Sequence, residues 1–164
     1  MLAPAASASE AILAIHIVAV MVAFGVTFTY PVFALIGNRD RHSMPTLHRL
    51  QQAIGRFVIN PGLLVILLAG IYLASHDHQW SAFYVQWGLA AVVVLGGLEG
   101  AVVTRGEGRL AELAARDLAA AGAGEVAWSE EYGALRRRIG AIGALMDLIV
   151  VLTIFFMALR LGGS

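Results

Sequence analysis

Polar and apolar positions along the chain separate into four long apolar runs, 11–36, 57–74, 82–103 and 139–159, divided by polar stretches. A helix crosses a bilayer with about 20 apolar residues at roughly 1.5 Å each, and every run has that reach. None alternates with period two, and each is about twice the length of a barrel strand, so the pattern predicts helices and not β-strands. The expected fold is all-α: a polytopic membrane protein, one integral membrane domain over 1–164, built as a bundle of four transmembrane helices. The first run has no basic segment before it, and its Ala/Ser-rich stretch precedes the apolar residues. It therefore reads as a retained span and not as a cleaved leader.

The polar connections orient the bundle. Arg39, Arg41, Arg49 and Arg56 lie between the first two spans, and Arg105, Arg109, Arg116 and Arg136 to Arg138 between the last two. The connection after the second span and the N-terminal segment carry no Arg or Lys, and only Arg160 falls on that side. Basic residues stay in the cytoplasm, so both termini are expected outside, in a multi-pass protein of the plasma (inner) membrane. Trp80, Tyr84 and Trp87 fit an outer headgroup belt. The insertion 104–138 reads as a cytoplasmic helical hairpin between helices 3 and 4. Its first half, 107–121, is alanine-rich with Glu112 four residues before Arg116; Gly122 and Gly124 break it, and Ser129 offers an N-cap with Glu130 and Glu131 in the next turn. As a plain solvated spacer it needs no partner. The two halves of the chain do not match, which gives no support to a transporter built from tandem repeats.

Composition narrows the function classes. Apolar residues make up 59% and charged residues 13%, with a mean hydropathy of +0.78, which excludes an ordinary soluble domain. The chain has no cysteine, so no disulfide framework exists. Eleven basic residues, all arginine, balance eleven acidic ones, leaving no case for a nucleic-acid partner; the lipid bilayer is the expected surrounding, with a homo-oligomer or membrane complex as the kind of partner such a chain takes. No nucleophile–base pair, phosphate loop or HExxH zinc motif is present, so an enzyme is not the expected class.

Ionisable residues inside a bilayer cost a few kcal/mol and therefore turn toward the bundle interior and toward partners. Glu99 lies about 6 Å and Asp147 about 12 Å inside their spans, and Arg56 stands at the edge of the second. His48, Gln52, Arg56 and Asn60 recur every four residues as a polar stripe. The expectation is an intramembrane cluster in which Arg56 neutralises Glu99, Asp147 or both, helped by Asn60 and Tyr30. It serves either as glue between helices or as a proton or substrate contact, because two carboxylates against one guanidinium leave a surplus negative charge that must protonate or bind a cation. Asn60-Pro61-Gly62 predicts a kink in the second span.

At the opposite end, His16 sits about 6 Å into the first span on a face shared with Ala19, Val20, Ala23, Thr27 and Tyr30. His76 and His78 flank Asp77 in the short connection. Imidazole is the commonest metal or haem ligand. His16 and His76 are thus candidates for the axial pair of haem b, and His16, His76 and His78 for a copper or zinc site. Otherwise His16 is a hydrogen-bonded bundle residue, the loop histidines are exposed, and no cofactor is bound.

The runs "AIHIVAVMVAFG", "RFVINPGLLVILLAGIYLA" and "DLIVVLTIFFMALRLG" resemble a bacterial family of four-helix integral membrane proteins catalogued as a domain of unknown function. The first-span histidine is also similar to that of the copper-resistance D family and of the haem-containing membrane protoporphyrinogen oxidase. These resemblances imply that His16 is a haem or copper ligand. The chain has Ala23-Phe24-Gly25 where those groups carry Trp-Val-Gly-Gly, and it has no lysine, so oxidase activity is not implied. Three readings follow: a haem- or copper-binding membrane protein, a structural or accessory subunit without cofactor, and a proton- or ion-coupled transporter.

Overall fold

The computed structural model describes residues 7–161. Every regular element among them is helical: α1 (Ala8–Gly25), α2 (Tyr30–Arg39), α3 (Met44–Ile54), α4 (Asn60–His76), α5 (Phe83–Leu98), α6 (Thr104–Ala121) and α7 (Glu130–Leu159). They join into four runs, Ala8–Arg39, Arg41–His76, Phe83–Ala121 and Glu130–Leu159, each long and apolar enough to cross a membrane. Exposed Leu, Ile, Val, Met and Phe side chains cover the outside of the spans, including Val18, Met21, Phe57, Leu68, Val93 and Phe155. In water this would be an aggregating surface, whereas lipid solvates it. The chain is a membrane protein.

Local chemistry sets the breaks. Ser7 caps α1 and pairs reciprocally with Glu10 in a capping box. The first run bends at a 3₁₀ turn, Thr27–Thr29, just before Pro31, whose missing N–H and fixed φ favour a helix start over continuation. The second run holds a π-turn, Gly55–Ile59, in which the Asn60 N–H reaches the Gly55 carbonyl. Pro61 follows in the first turn of α4, where the absence of a donor costs least. The kink expected at Asn60-Pro61-Gly62 is therefore expressed as a widened turn directly ahead of the proline. A second π-turn, Glu99–Val103, joins α5 to α6. The expected start of α7 at Glu130 is observed, with Ser129 Oγ accepting from the Tyr132 N–H.

Glycines set how closely the helices approach. A Cβ on Gly62 would lie 2.7 Å from Ala23 Cβ, and one on Gly70 would lie 3.6 Å from His16 Cε1. The pairs 16/70 and 23/62 fix α1 antiparallel against α4 in one register. The core continues from the spans (Ala23, Ile59, Leu63, Val92, Leu95, Met146) into α6 and the start of α7 (Leu110, Leu113, Ala114, Tyr132) without interruption. The segment 104–121, expected to be part of a solvated spacer, is a packed element: its apolar positions recur at helical spacing and one face is buried, with Glu107 and Asp117 on it.

Candidate functional site

Two polar ends are distinguished by their connections. At the end holding the α4–α5 connection, α1, α4, α5 and α7 surround a cleft of about 860 Å³. His16 and Phe24 of α1, Gly70 of α4, Gly88 of α5, and Thr153 and Met157 of α7 line it. At its rim stand Glu10, Asp77, Gln79 and Arg160. Toward the other end the gap between the first run and α7 is bridged: the Thr27 hydroxyl lies 2.9 Å from both the Phe24 carbonyl and Asp147 Oδ1, and Arg136 Nη2 donates to Asn38 Oδ1 at 3.0 Å. The Trp87 indole N–H donates to Thr153 Oγ1 at 2.9 Å, tying α5 to α7 beside the cleft.

His16 is the imidazole of this cleft. Its Nδ1 is buried and, among the described residues, has no hydrogen-bond partner; the Ile66 carbonyl lies beside the ring. A buried ring nitrogen left unpaired costs about 1–3 kcal/mol, so such an atom calls for an explanation. The other two expected ligands do not join it. His76 is exposed, stacked on Tyr72 and hydrogen-bonded through Nδ1 to Asp77 Oδ1 at 3.0 Å. His78 is exposed in the following turn with φ of 54°. The reason is the short connection: α4 ends at His76, and the turn carries both rings outward. No group of three His, Cys, Asp or Glu side chains that could hold a metal ion exists among the described residues.

The expected intramembrane cluster is also divided. Arg56 is exposed, its guanidinium over the Phe57 ring at 5.5 Å, and has no carboxylate within ion-pair distance among the described residues. A four-residue spacing winds about 40° per step around a helix of 3.6 residues per turn, so Arg56 has left the face that His48 presents. Gly55 and Ile59 are buried in its place. The extra residue of the π-turn then brings Asn60 back toward the bundle, its Oδ1 against Gly100. Asp147 is met by Thr27 instead of Arg56. Tyr30 packs against the core with its ring beside Phe33. Glu99, only 4% exposed, accepts from Thr104 Oγ1 at 3.1 Å.

The most connected polar group was not signalled by the residue pattern. At the α3–α6–α7 junction, His48 Nδ1 lies 2.6 Å from Glu107 Oε2 and His48 Nε2 lies 3.0 Å from Tyr132 Oη, with all three residues buried. An ionised carboxylate only accepts, so Nδ1 carries the proton, and a neutral ring then accepts from the tyrosine hydroxyl. Burial, against the pull of the Arg136 guanidinium and with Glu107 and Asp117 adding to it, pushes the Tyr132 phenol up to about 12, which keeps it a donor at physiological pH. Beside it, Asp117 receives both the Ser129 N–H (2.8 Å) and its hydroxyl (2.7 Å). Burial pushes the Asp117 carboxyl up, but the Ser129 bonds and the Arg116 guanidinium outweigh it and hold it below the usual range. Arg109 and Arg116 together grip Glu131, lowering its carboxyl as well. The amphipathic spacing of Leu110, Leu113 and Ala114 was the one available sign that this segment packs, and nothing in it names His48 as the partner of Glu107.

Comparison of the chain with protein-family models, with curated proteins and with solved structures finds no match.

Proposed function

We propose that this integral membrane protein binds a planar, lipid-soluble cofactor, haem b, in the α1/α4/α5/α7 cleft, with His16 as its axial ligand. One observation carries the reading: His16 lines a mostly apolar cleft of about 860 Å³ with its Nδ1 sealed against Gly70 and the Ile66 carbonyl of α4, which leaves Nε2 as the nitrogen open to a ligand. Pockets of this size and lining take flat apolar molecules and fix them with one or two polar groups. The residues fit the group as a single-histidine site. Gly70 leaves space against the His16 ring, and Arg160 at the rim offers a cation for a carboxylate at the mouth. Copper or zinc alone would need three or four donors, and His16 supplies one. Bound haem would supply one-electron redox chemistry. The chain's own share is to present the imidazole, to exclude water with Phe24 and Met157, and to hold the cleft shut at the Thr27–Asp147 bridge.

In this reading the arginine-rich end faces the cytoplasm of a bacterial inner membrane, α6 and α7 form a cytoplasmic hairpin, and both termini lie outside. The alternative, a structural or accessory subunit, is favoured by the junction polar groups, which satisfy one another within the chain.

The test is optical. Purified protein, as isolated or after haem addition, should show a Soret band that is lost in His16→Ala while the variant stays monodisperse in detergent. A Soret band unchanged by the substitution would reject His16 as ligand. Protein colourless even after haem addition would reject the cofactor and leave the structural reading.

A further inference from the structure

Independently of the cleft, the two π-turns of the bundle face each other, and a carboxyl group lies between them. Glu99 opens the turn Glu99–Val103, and Gly55 opens the turn Gly55–Ile59 on the helix opposite. A Cβ on Gly55 would collide with Glu99 Oε1 and lie 2.6 Å from Thr104 Oγ1. The backbone at 55 thus packs directly on the carboxyl, and a larger residue there would displace it. π-turns of this kind recur at functional positions because they cost helical regularity.

The surroundings of Glu99 are neutral. Its one hydrogen-bond partner among the described residues is the Thr104 hydroxyl. The cation expected to face it, Arg56, is turned outward over Phe57. Arg105, next to Thr104, is exposed. The ionisable groups that act on it across the packed elements are Glu107 on its own helical run and Tyr30 of α2, a carboxyl and a phenol; Asp147 of α7 is held by Thr27. On the remaining side Asn60 brings an uncharged amide to Gly100. An isolated carboxylate buried at this depth, with no counter-ion and a single hydroxyl donor, is far costlier than the neutral acid.

We infer that Glu99 is a proton-binding site: a carboxylic acid held neutral between the two π-turns, whose proton exchanges with solvent. On the junction side the polar neighbours are Thr104, which meets the carboxyl, and Gln52, whose amide lies against Gly108 of α6. In this arrangement Thr104 serves Oε1, which leaves the other carboxyl oxygen to carry the proton. The negative charge of this carboxyl is then cancelled by a bound proton and not by a metal ion.

Infrared spectroscopy of the full-length protein in lipid nanodiscs at neutral pH tests this directly. A protonated carboxyl shows a carbonyl stretch above the amide band, and this band should be present in the wild type, absent in Glu99→Gln and retained in Asp147→Asn. It should shift to lower frequency on transfer to D₂O buffer. Because glutamine copies the shape of the neutral acid, Glu99→Gln should also keep the wild-type midpoint of thermal unfolding, which guards against loss by misfolding. A wild type without the band, a band that survives in Glu99→Gln, or a band indifferent to D₂O would each overturn the inference.

Discussion

Gly62→Ala examines the register that holds α1 against α4, on which the cleft depends. The new Cβ would stand 2.7 Å from Ala23 Cβ, with the Ala23 Cα at 3.6 Å behind it. Ala23 is completely buried, and neither atom is the tip of a flexible side chain. Carbon atoms rest at about 3.5–4.0 Å, so the helices must separate by roughly 1 Å. Overpacking of this kind costs about 1–3 kcal/mol, and alanine returns about 1 kcal/mol as the better helix former. The net expectation is a loss of about 1 kcal/mol, roughly a five-fold drop in the folded-to-unfolded ratio. Reversible unfolding in mixed micelles measures it. The partner variant Ala23→Gly clears the space, so the double mutant should recover stability, with a coupling energy of about 1–3 kcal/mol in the cycle. Single and double mutants that add within about 0.5 kcal/mol, or a Gly62→Ala more stable than wild type, would refute the close α1–α4 contact.

Two further outcomes concern the junction. Tyr132→Phe removes the donor to a buried ring nitrogen and should cost about 1–3 kcal/mol; His48→Ala leaves the buried Glu107 carboxylate unpaired and should cost more, about 3–5 kcal/mol. Equal, small losses would show that the three residues do not act together. Acid should loosen this end late. The folded carboxyls of Asp117 and Glu131 are lowered, so their stabilisation is complete above the unfolded carboxylate values of about 4 and is lost only as pH falls through the lower folded values. Amide exchange over 122–131 should stay slow down to about pH 4 and rise below it, while Asp117→Asn should exchange faster at neutral pH and flatten that acid-side rise. Fast exchange already at pH 6 in the wild type would contradict the assignment.

The spans were legible because apolar runs of this length have one stable form in lipid. The Ser129 cap and the start of α7 were legible because cap chemistry is local. The side-chain constellations were harder. Reading His48, Gln52, Arg56 and Asn60 as one stripe treated the helix as having four residues per turn, whereas the true pitch and the π-turn at Gly55 send Arg56 outward. Pairing His16 with His76 needed the direction of the α4–α5 turn, which six connecting residues do not specify. The His48–Glu107–Tyr132 group joins positions 59 and 84 residues apart, and no pattern within a single segment encodes such a meeting. Glu99, singled out as a carboxyl that should turn inward, is buried. Its lack of a counter-charge came into view only with the neighbours placed.

The two central runs, 36 and 39 residues long, extend from the cleft to the junction through one π-turn each, about 54 and 58 Å at helical rise. They are stiff beams sharing a fulcrum where Gly55 touches Glu99. A force that pried apart His48 and Glu107, the pair that joins these two runs on the junction side, would move their far ends and with them the gap beside His16. An object bound at one extremity of this molecule therefore has a mechanical route to the other that requires no refolding between them.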